Sequence, residues 1–406
     1  DYIRRMVENN WIITSNYLQG SLLQSWTRTI TSRINIEPID GMKIDLNTNY
    51  SKTLNKNSSY LSFINDTNYL GHFSYPIESG NFSMTIISFQ SFEKLDTVSY
   101  KKSVYFEKFK KNRQYIIQRF VDKYHNYPSF LNDTASGLGY TEKSQQVLIS
   151  TFLATYAGYG IRKSPLDLFP AIFFVRPNWR INYDGLSYIP FIQKYCQSVT
   201  LTHSYTSSYN IGSFISNSLY NPGNDGFSNI RDEMGNYAPK YDVSSVSINE
   251  QFSPLFGIDV TLKNNLSLRF EYKKSRMLML GITNYSLIET QSNEYVVGTG
   301  YRFPEIPLTM ITFGAIASAV KSDLNLRADV SIRDDISCIR RLDINDQQIT
   351  QGNKNVKLSF SADYQLSDKL TVRLFYDRNL IDPHISSSYK TINTDFGFSL
   401  RFVLAQ

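Results

Sequence analysis

The side chains that could carry out catalysis or hold a metal are few in this sequence and lie far apart. The 406-residue chain has 4 histidines, at His72, His125, His203 and His384. A metal site needs ligands at short, regular spacing, and a nucleophile needs a base beside it; none of the four meets either condition. The histidines are therefore predicted to be structural or solvated.

The other reactive groups give no stronger signal. Asp334 and Asp335 begin a predicted loop extension, so they would form a hydrolytic pair only by coincidence. Cys196 and Cys338 are widely separated and belong to no CxxC motif, which indicates neither a zinc site nor a disulfide framework. No pair of glycines follows a strand and opens a helix, as a phosphate-binding loop requires. We expect no enzymatic activity, no cofactor and no bound metal.

Composition excludes disorder and gives no sign of nucleic-acid binding. Aromatic residues make up 14% of the chain, so it can bury enough apolar surface to fold. The net charge of +6 arises from 42 basic and 36 acidic residues of interspersed sign, and no nucleic-acid partner is expected. The longest apolar stretch, Ile306 to Val320, contains Pro307 and is shorter than the roughly 20 residues of a transmembrane helix. The chain begins at Asp1 without a signal-peptide pattern, so we expect a mature product or a fragment.

Long stretches in the second half of the chain alternate strictly between apolar and polar residues. Leu266 to Lys273 reads Leu, Ser, Leu, Arg, Phe, Glu, Tyr, Lys, and the same rhythm runs from Leu324 to Arg333. A period of two places the two sets on opposite faces of a β-strand. If the apolar face contacts lipid, the polar face lines an aqueous lumen. Ten charged residues are predicted to face that lumen: Arg269, Glu271, Lys273, Arg327, Asp329, Arg333, Lys357, Asp363, Arg373 and Asp377.

Short turns and long loops alternate between these predicted strands. Tight turns are predicted at Pro38 to Gly41 and at Asn264-Asn265, and long polar loops at residues 221–240, 343–355 and 379–393. Outer-membrane β-barrels have short periplasmic turns and longer extracellular loops. The pattern therefore favours a barrel in the bacterial outer membrane, with membrane lipid as its surroundings.

A soluble β-sandwich is the alternative, because its strands also alternate and bury their apolar face against a second sheet. Its strands usually have about 3 to 10 residues, whereas one apolar phase here runs from Val246 to Leu262. Pro254 lies inside that run, where it removes a backbone donor, so a bulge or a break is expected there. The length of the run favours a tall barrel wall.

The predicted fold is all-β, an antiparallel transmembrane β-barrel wall of about 13 strands. Single-chain bacterial barrels need an even number, so either residues 1–25 hold another strand or the chain is the C-terminal part of a larger barrel wall, and we favour the larger barrel. Residues 1–90 and 178–406 supply the strands. Among them, strands at 42–55, 81–90, 198–217 and 266–283 are expected to run up the wall and a strand at 59–75 down it. Between residues 91 and 177 the apolar period changes from two to about 3.6, which predicts a helical insertion. It is predicted to be extracellular, and its role is open between a cap or gate over the lumen, a docking surface and a structural loop pack.

The last predicted strand carries a short terminal motif. Asp395 is followed by Gly397 and then by Leu400 and Phe402, four residues before the end of the sequence. This arrangement resembles the signal by which the bacterial barrel-assembly machinery recognises its clients, so that machinery is an expected partner. Gly397 would allow close backbone approach, while Leu400 and Phe402 would face lipid.

Several segments resemble the C-terminal region of the SprA/Sov family. They include QFSPLFGIDVTLKNNLSLRFEYKKSR ending at Arg276, SNEYVVGTGYRF ending at Phe303, DLNLRADVSIRD ending at Asp334 and NTDFGFSLRF ending at Phe402. The resemblance covers most of residues 25–406. The stretches 221–238 and 306–320 are departures from it, and their roles stay open.

The resemblance implies the outer-membrane translocon of the type IX secretion system, which is linked to protein secretion and gliding motility. Such a translocon is a very large gated barrel that passes folded cargo proteins carrying a C-terminal targeting domain. Its implied partners are a lipid-linked shuttle barrel of the PorV type and a plug protein, which alternate at a lateral opening. The alternative function is a conventional outer-membrane transporter or porin-like barrel for small solutes.

Overall fold

The computed structural model describes residues 5, 9, 11, 21–65, 68–73, 76–98, 100–133, 135, 137–308, 311–312, 315–316, 320–344, 346–367, 370–385 and 388–402. Most of these residues belong to one antiparallel sheet of fourteen strands, and a separate two-stranded sheet pairs β11 with β12. The strands are β1 Ser21–Ile36, β2 Met42–Asn65, β3 Asn68–Phe73, β4 Ile77–Thr85, β5 Asn178–Tyr183, β6 Cys196–Ser216, β7 Tyr241–Val243, β8 Ser245–Leu262, β9 Leu266–Gly281, β10 Ser286–Leu308, β11 Ile311–Thr312, β12 Ala315–Ile316, β13 Val320–Arg341, β14 Gln347–Ser367, β15 Leu370–Pro383 and β16 Thr391–Phe402. The predicted antiparallel all-β wall is confirmed.

Eleven strands form the path across this wall, in the order β1, β2, β4, β6, β8, β9, β10, β13, β14, β15, β16. We call the end with the tight turns Pro38 to Gly41 and Asn264-Asn265 the lower end, and the opposite end the upper end. Asn265 and Gly41 both have positive φ, at 67° and 77°, a conformation that Asn and Gly tolerate best. These two turns were predicted from their residue types.

Strands β4 and β5 share one position in the wall. Strand β2 pairs with β5 from Met42 to Asn47 and with β4 from Tyr50 to Asn57, and β6 pairs with the same two strands in the same order. The backbone therefore enters the wall at the upper end, leaves it at Thr85 halfway down, and returns at Asn178. The insertion begins at mid-height and not at an upper loop.

This arrangement corrects the predicted strands at residues 59–75 and 81–90. The polar run from Asn55 to Ser59 looks like a turn in the sequence, but it lies within β2. Its backbone pairs with β1 and, as far as Asn57, with β4, and pairing on both sides outweighs the weak strand propensity of these residues. As a result β4 runs down the wall, where the sequence had suggested an upward strand.

The predicted long loop at 221–240 is confirmed between β6 and β7, but two other upper connections are short. Strand β14 already begins at Gln347, so most of the predicted loop at 343–355 is strand, and β9 joins β10 through residues 282–285. The strands consequently rise well above the apolar part of the wall, as the tall-wall interpretation requires. The predicted irregularity at Pro254 is confirmed as a register shift between Phe252 and Phe256.

The insertion contains the helices α1 Val104–Tyr124, α2 Pro128–Leu131 and α3 Gln145–Tyr156, and a fourth helix, α4 Pro190–Tyr195, lies between β5 and β6. The side chain of Ser103 caps α1 by accepting a hydrogen bond from the backbone N–H of Phe106. Phe106, Phe109 and Ile116 recur at helical spacing and are buried, so the change of period in the sequence was a true signal.

No helix among the described residues is both long and apolar enough to cross a membrane.

Candidate functional surfaces on the two faces of the wall

Strand register places all ten predicted lumen residues on the same face of the sheet. Arg269 lies opposite Gly298, Gly298 opposite Asp329, and Asp363 opposite Arg373. Directly opposed residues in an antiparallel pair share a face. The full set is Arg269, Glu271, Lys273, Arg327, Asp329, Arg333, Lys357, Asp363, Arg373 and Asp377. We call this the polar face; that it lines a lumen stays a prediction.

Charges on the polar face are largely paired with neighbours of opposite sign. Lys273 Nζ lies 3.0 Å from Glu271 Oε2, and the Arg269 guanidinium contacts the same carboxylate. Farther along the wall, Arg373 Nε lies 3.6 Å from Asp363 Oδ1. Mixed and mutually neutralised charges weaken selectivity for ions of one sign. The face is therefore hydrated without being strongly cationic or anionic.

Higher on the polar face the side chains become mainly hydroxyls and amides. They include Ser51, Thr53, Ser83, Asn210, Asn249 and Ser275. Ser83 donates to Asn210 Oδ1 over 2.7 Å, and the hydroxyls of Thr290 and Ser337 are 2.9 Å apart. A hollow of about 490 Å³ opens across β6, β8, β9, β10, β13 and β14 at this level. The upper polar face is thus wettable and nearly neutral.

The opposite face, which we call the band face, carries exposed apolar side chains in its lower part. Leu268 is 43% exposed and Leu400 is 61% exposed. The exposed members on β9 to β16 are Leu268, Phe270, Tyr295, Val297, Phe303, Val330, Ile332, Leu358, Phe360, Leu374, Ile392, Phe396, Phe398, Leu400 and Phe402. In a sandwich a second sheet would bury these side chains, so the sandwich alternative is wrong for the described part of the wall.

Aromatic pairs border this apolar band. Tyr272 and Tyr295 stack above it with centroids 4.6 Å apart, and Tyr301 and Phe303 pack below it at 4.4 Å. Six residues separate Tyr295 from Tyr301, about 20 Å of strand. Transmembrane barrels show an outward apolar band of about 25 Å between aromatic girdles. The sheet is therefore a wall segment of an outer-membrane β-barrel.

The terminal motif divides between the two faces. Asp395 lies opposite Asp377 and Gly397 opposite Phe375, so both belong to the polar face. Leu400 and Phe402 belong to the band face, as predicted. A Cβ on Gly397 would lie 2.9 Å from the Phe375 ring, which explains the glycine by local packing. Its role as an assembly signal stays a prediction.

The helical insertion packs on the band face, above the apolar band. Strand β9 pairs with β10 from Leu266 to Gly281 without a register shift, so Leu278 and Leu280 share the face of Leu268. Both are completely buried, in one cluster with Phe109 of α1 and Phe152 of α3. The insertion therefore covers the outside of the wall. It does not lie over the polar face, so a cap over the lumen, one of the roles left open for the insertion, does not fit these residues.

A buried ion pair joins the insertion to the wall. Arg276 of β9 lies 2.8 Å from Glu250 of β8, with side chains 1% and 0% exposed. Arg276 also donates to the carbonyl oxygens of Ser88 and Ser91, which begin the insertion. Tyr205 donates its hydroxyl hydrogen to Glu250 Oε1 over 2.8 Å. The Arg276–Glu250 ion pair and the bonds from Arg276 to two backbone carbonyl oxygens thus hold the insertion at the point where the chain leaves the wall.

A second buried pair lies one strand further along. Arg340 Nη1 is 2.6 Å from Glu289 Oε2, and Gln291 donates to the carbonyl oxygen of Glu93 in the insertion. Sequence reasoning missed both pairs. The available signal was that Arg276 and Glu289 lie in the alternation phase that elsewhere holds apolar residues. A charge in that phase indicates that another part of the protein, and not lipid, covers the band face there.

The carboxylate of Glu78 connects three elements at the upper end, outside the membrane band. Tyr241 donates its hydroxyl hydrogen to Glu78 Oε2 over 2.5 Å, and Lys56 and Lys240 lie 2.8 Å and 3.4 Å from the carboxylate. Burial alone would raise the pKa of Glu78, but these partners outweigh it and lower the pKa to about 2. The carboxylate therefore stays charged at mildly acidic pH.

Replacing Glu78 with Gln is expected to lower thermal stability at neutral pH but not in strong acid. The pKa of Glu78 lies below its unfolded value of about 4.3, so its contribution is present above that pH and is lost as the pH falls toward 2. The melting temperatures of wild type and Glu78→Gln should converge over that range. A constant difference between the two melting curves would contradict the role of this carboxylate.

Among the described residues, no group of three or more His, Cys, Asp or Glu side chains is placed to hold a metal ion. Cys196 and Cys338 are both free.

Comparison with known proteins gives little further information. No family model matches the chain, and no curated protein matches it. Among solved structures, the chain is similar to "OmpT (in-vitro folded), an outer membrane protein" of Vibrio cholerae in its trimer form, with 8% sequence identity and a TM-score of 0.23. The match covers 94% of this chain and 99% of that chain. A likeness at this level identifies neither a family nor a function.

Proposed function

We propose that this chain forms part of the wall of a very large outer-membrane barrel that passes folded proteins, the translocon of type IX secretion. The observation that carries the proposal is the open sheet. In the described part of the chain, β1 and β16 are the two ends of the eleven-strand path and do not pair with each other. Unpaired strand edges are not tolerated in lipid, which supports a wall completed by further strands around a wider lumen.

The chemistry of the polar face supports passage of whole proteins. A conduit for folded cargo has to be wide and hydrated, without an apolar lining that would retain the cargo. The paired charges of the lower part and the hydroxyls and amides of the upper part meet that requirement. The long segments that resemble the SprA/Sov family support the same assignment.

The mechanism in this proposal is passive passage with gating, without a catalytic step in this chain. The cargo carries a C-terminal targeting domain, and a lipid-linked shuttle barrel and a plug protein bind in turn at a lateral opening. No named residue is assigned to that opening. In this proposal any docking role of the insertion at residues 91–177 lies on the outside of the wall, because the insertion packs on the band face.

Site-directed disulfide capture of a stalled cargo tests the proposal. A cargo with the targeting domain and one exposed cysteine, fused to a domain that cannot pass, is expected under an added mild oxidant to form a disulfide with Asn249→Cys on the polar face in the full-length protein. Phe270→Cys, which is 38% exposed on the band face, is the matched control and should give no cargo adduct. Both variants need Cys196 and Cys338 replaced by Ser.

The two positions separate the possible outcomes. Cargo adducts at position 249 alone agree with passage along the polar face. Adducts at position 270 alone would place cargo on the outside and contradict the conduit. If loss of the protein leaves cargo export unchanged, the secretion role is wrong, and the small-solute barrel becomes the better assignment.

A further inference from the structure

A cluster of exposed aromatic side chains lies at the lower end of the wall, between β5 and β6. Tyr188 is 66% exposed, Phe191 74% and Tyr195 54%, and Ile189 is 44% exposed beside them. Lys194 lies in the last turn of α4 within this cluster. We call these five residues the rim patch. Such large apolar side chains in one short segment are costly to leave in water.

Backbone hydrogen bonds hold the rim patch at the level of the tight turns. The N–H of Asp184 donates to the carbonyl oxygen of Gly41, and the N–H of Lys263 donates to that of Tyr195. Ser187 accepts from the N–H of Val199 over 2.8 Å and donates to the carbonyl oxygen of the same residue over 3.2 Å. The segment that follows β5 therefore lies beside the lower part of β6, below the point where β5 ends, and these hydrogen bonds hold it to the wall.

The distance from the rim patch to the stacked rings of Trp179 and Tyr205 matches the height of the apolar band. Trp179 and Tyr205 stack with centroids 4.5 Å apart where the insertion begins to cover the band face, and Tyr205 is completely buried there. Six residues of β6 lead from Tyr205 down to Val199, about 20 Å of strand, and Leu201 faces outward between them, opposite Ile258. The rim patch thus lies at the height of the lower border of the band.

We propose that the rim patch is seated in the headgroup region of the periplasmic leaflet, where it anchors the wall to phospholipid. Tyr and Trp rings prefer the boundary between water and hydrocarbon, because one end is apolar and the other is hydrated. Lys194 adds a cation that reaches lipid phosphate while its stem stays in the boundary. This inference rests on the proposed membrane wall.

Photocross-linking in native membranes tests the anchor. The photoreactive residue p-benzoylphenylalanine replaces Phe191 in the full-length protein, Phe360 in the apolar band as the positive control, and Tyr115 on α1 as the exposed control. Phe360 is 44% exposed and Tyr115 67% exposed. We expect phospholipid adducts at positions 191 and 360, at least about tenfold above those at position 115.

The three positions distinguish failure of the anchor from failure of the membrane wall. Lipid adducts at position 360 without any at position 191 would overturn the anchor and leave the wall intact. Protein adducts at position 191 would instead assign the rim patch to a partner or to a second copy of the chain. Absence of lipid adducts at position 360 would overturn the membrane wall itself.

Discussion

Replacing Arg276 with Met is expected to release the start of the helical insertion from the wall, at a cost of about 3–5 kcal/mol. The substitution leaves the buried carboxylate of Glu250 without its cation, and it also removes the donors to the carbonyl oxygens of Ser88 and Ser91. Breaking one partner of a buried ion pair costs more than the pair contributes, because the remaining charge cannot reach water.

Hydrogen exchange of residues 86–177 measures this effect. Faster exchange in that range, with β13 to β16 unchanged, is the expected result. Arg269→Met on the same strand is the matched control, because Arg269 lies on the polar face with a side chain 54% exposed. The double variant Arg276→Met with Glu250→Leu should recover part of the protection. Equal exchange in Arg276→Met and wild type would contradict the anchoring role.

The strands from β6 onward could be predicted because each has one wet face and one apolar face. Strand β9 was expected at residues 266–283 and runs from Leu266 to Gly281, and β6 was expected at 198–217 and runs from Cys196 to Ser216. A period of two is a local property, so it survives in the sequence without knowledge of neighbours. For the same reason the ten charged residues could be assigned to one face before their partners were known.

The placement of the insertion could not be predicted, because it depends on which strands are neighbours. The apolar phase of β9 continues from Leu268 through Leu278, yet lipid covers the first and helices cover the second. Nothing local distinguishes those two environments. The available clues were Arg276 and Glu289, charges within the apolar phase, which mark the height at which lipid contact must end because a buried charge needs a partner.

The split strand formed by β4 and β5 could not be predicted either, for a similar reason. Thr85 and Asn178 are ninety-three residues apart in sequence but adjoin each other in one wall position, where the N–H of Arg176 donates to the carbonyl oxygen of Thr85. A strand that is split by an insertion has no signature in either half. Pairing with β2 and β6 determines that β4 and β5 share one position in the wall. Such pairing depends on the tertiary structure.

Arginine at position 268 is expected to destabilise the wall by about 2–4 kcal/mol, whereas arginine at the adjacent position 267 should cost within about 1 kcal/mol. Leu268 lies on the band face opposite Thr299, close to mid-height between Tyr295 and Tyr301, and Ser267 is exposed on the polar face of the same strand. A cation at position 268 would enter hydrocarbon, but one at position 267 stays in water near Asp259 and Asp329. Ser267→Arg loses one hydrogen bond to the carbonyl oxygen of Gly300, which sets its smaller cost.

This pair of variants tests the direction in which the wall faces. The amount of full-length protein in the outer-membrane fraction and its resistance to urea give the stability of each variant, with Leu268→Ala separating lost packing from added charge. A larger loss for Leu268→Arg than for Ser267→Arg agrees with lipid on the band face and water on the polar face. The reverse order would place the apolar side chains inside the barrel, and the conduit would then lack its hydrated lining.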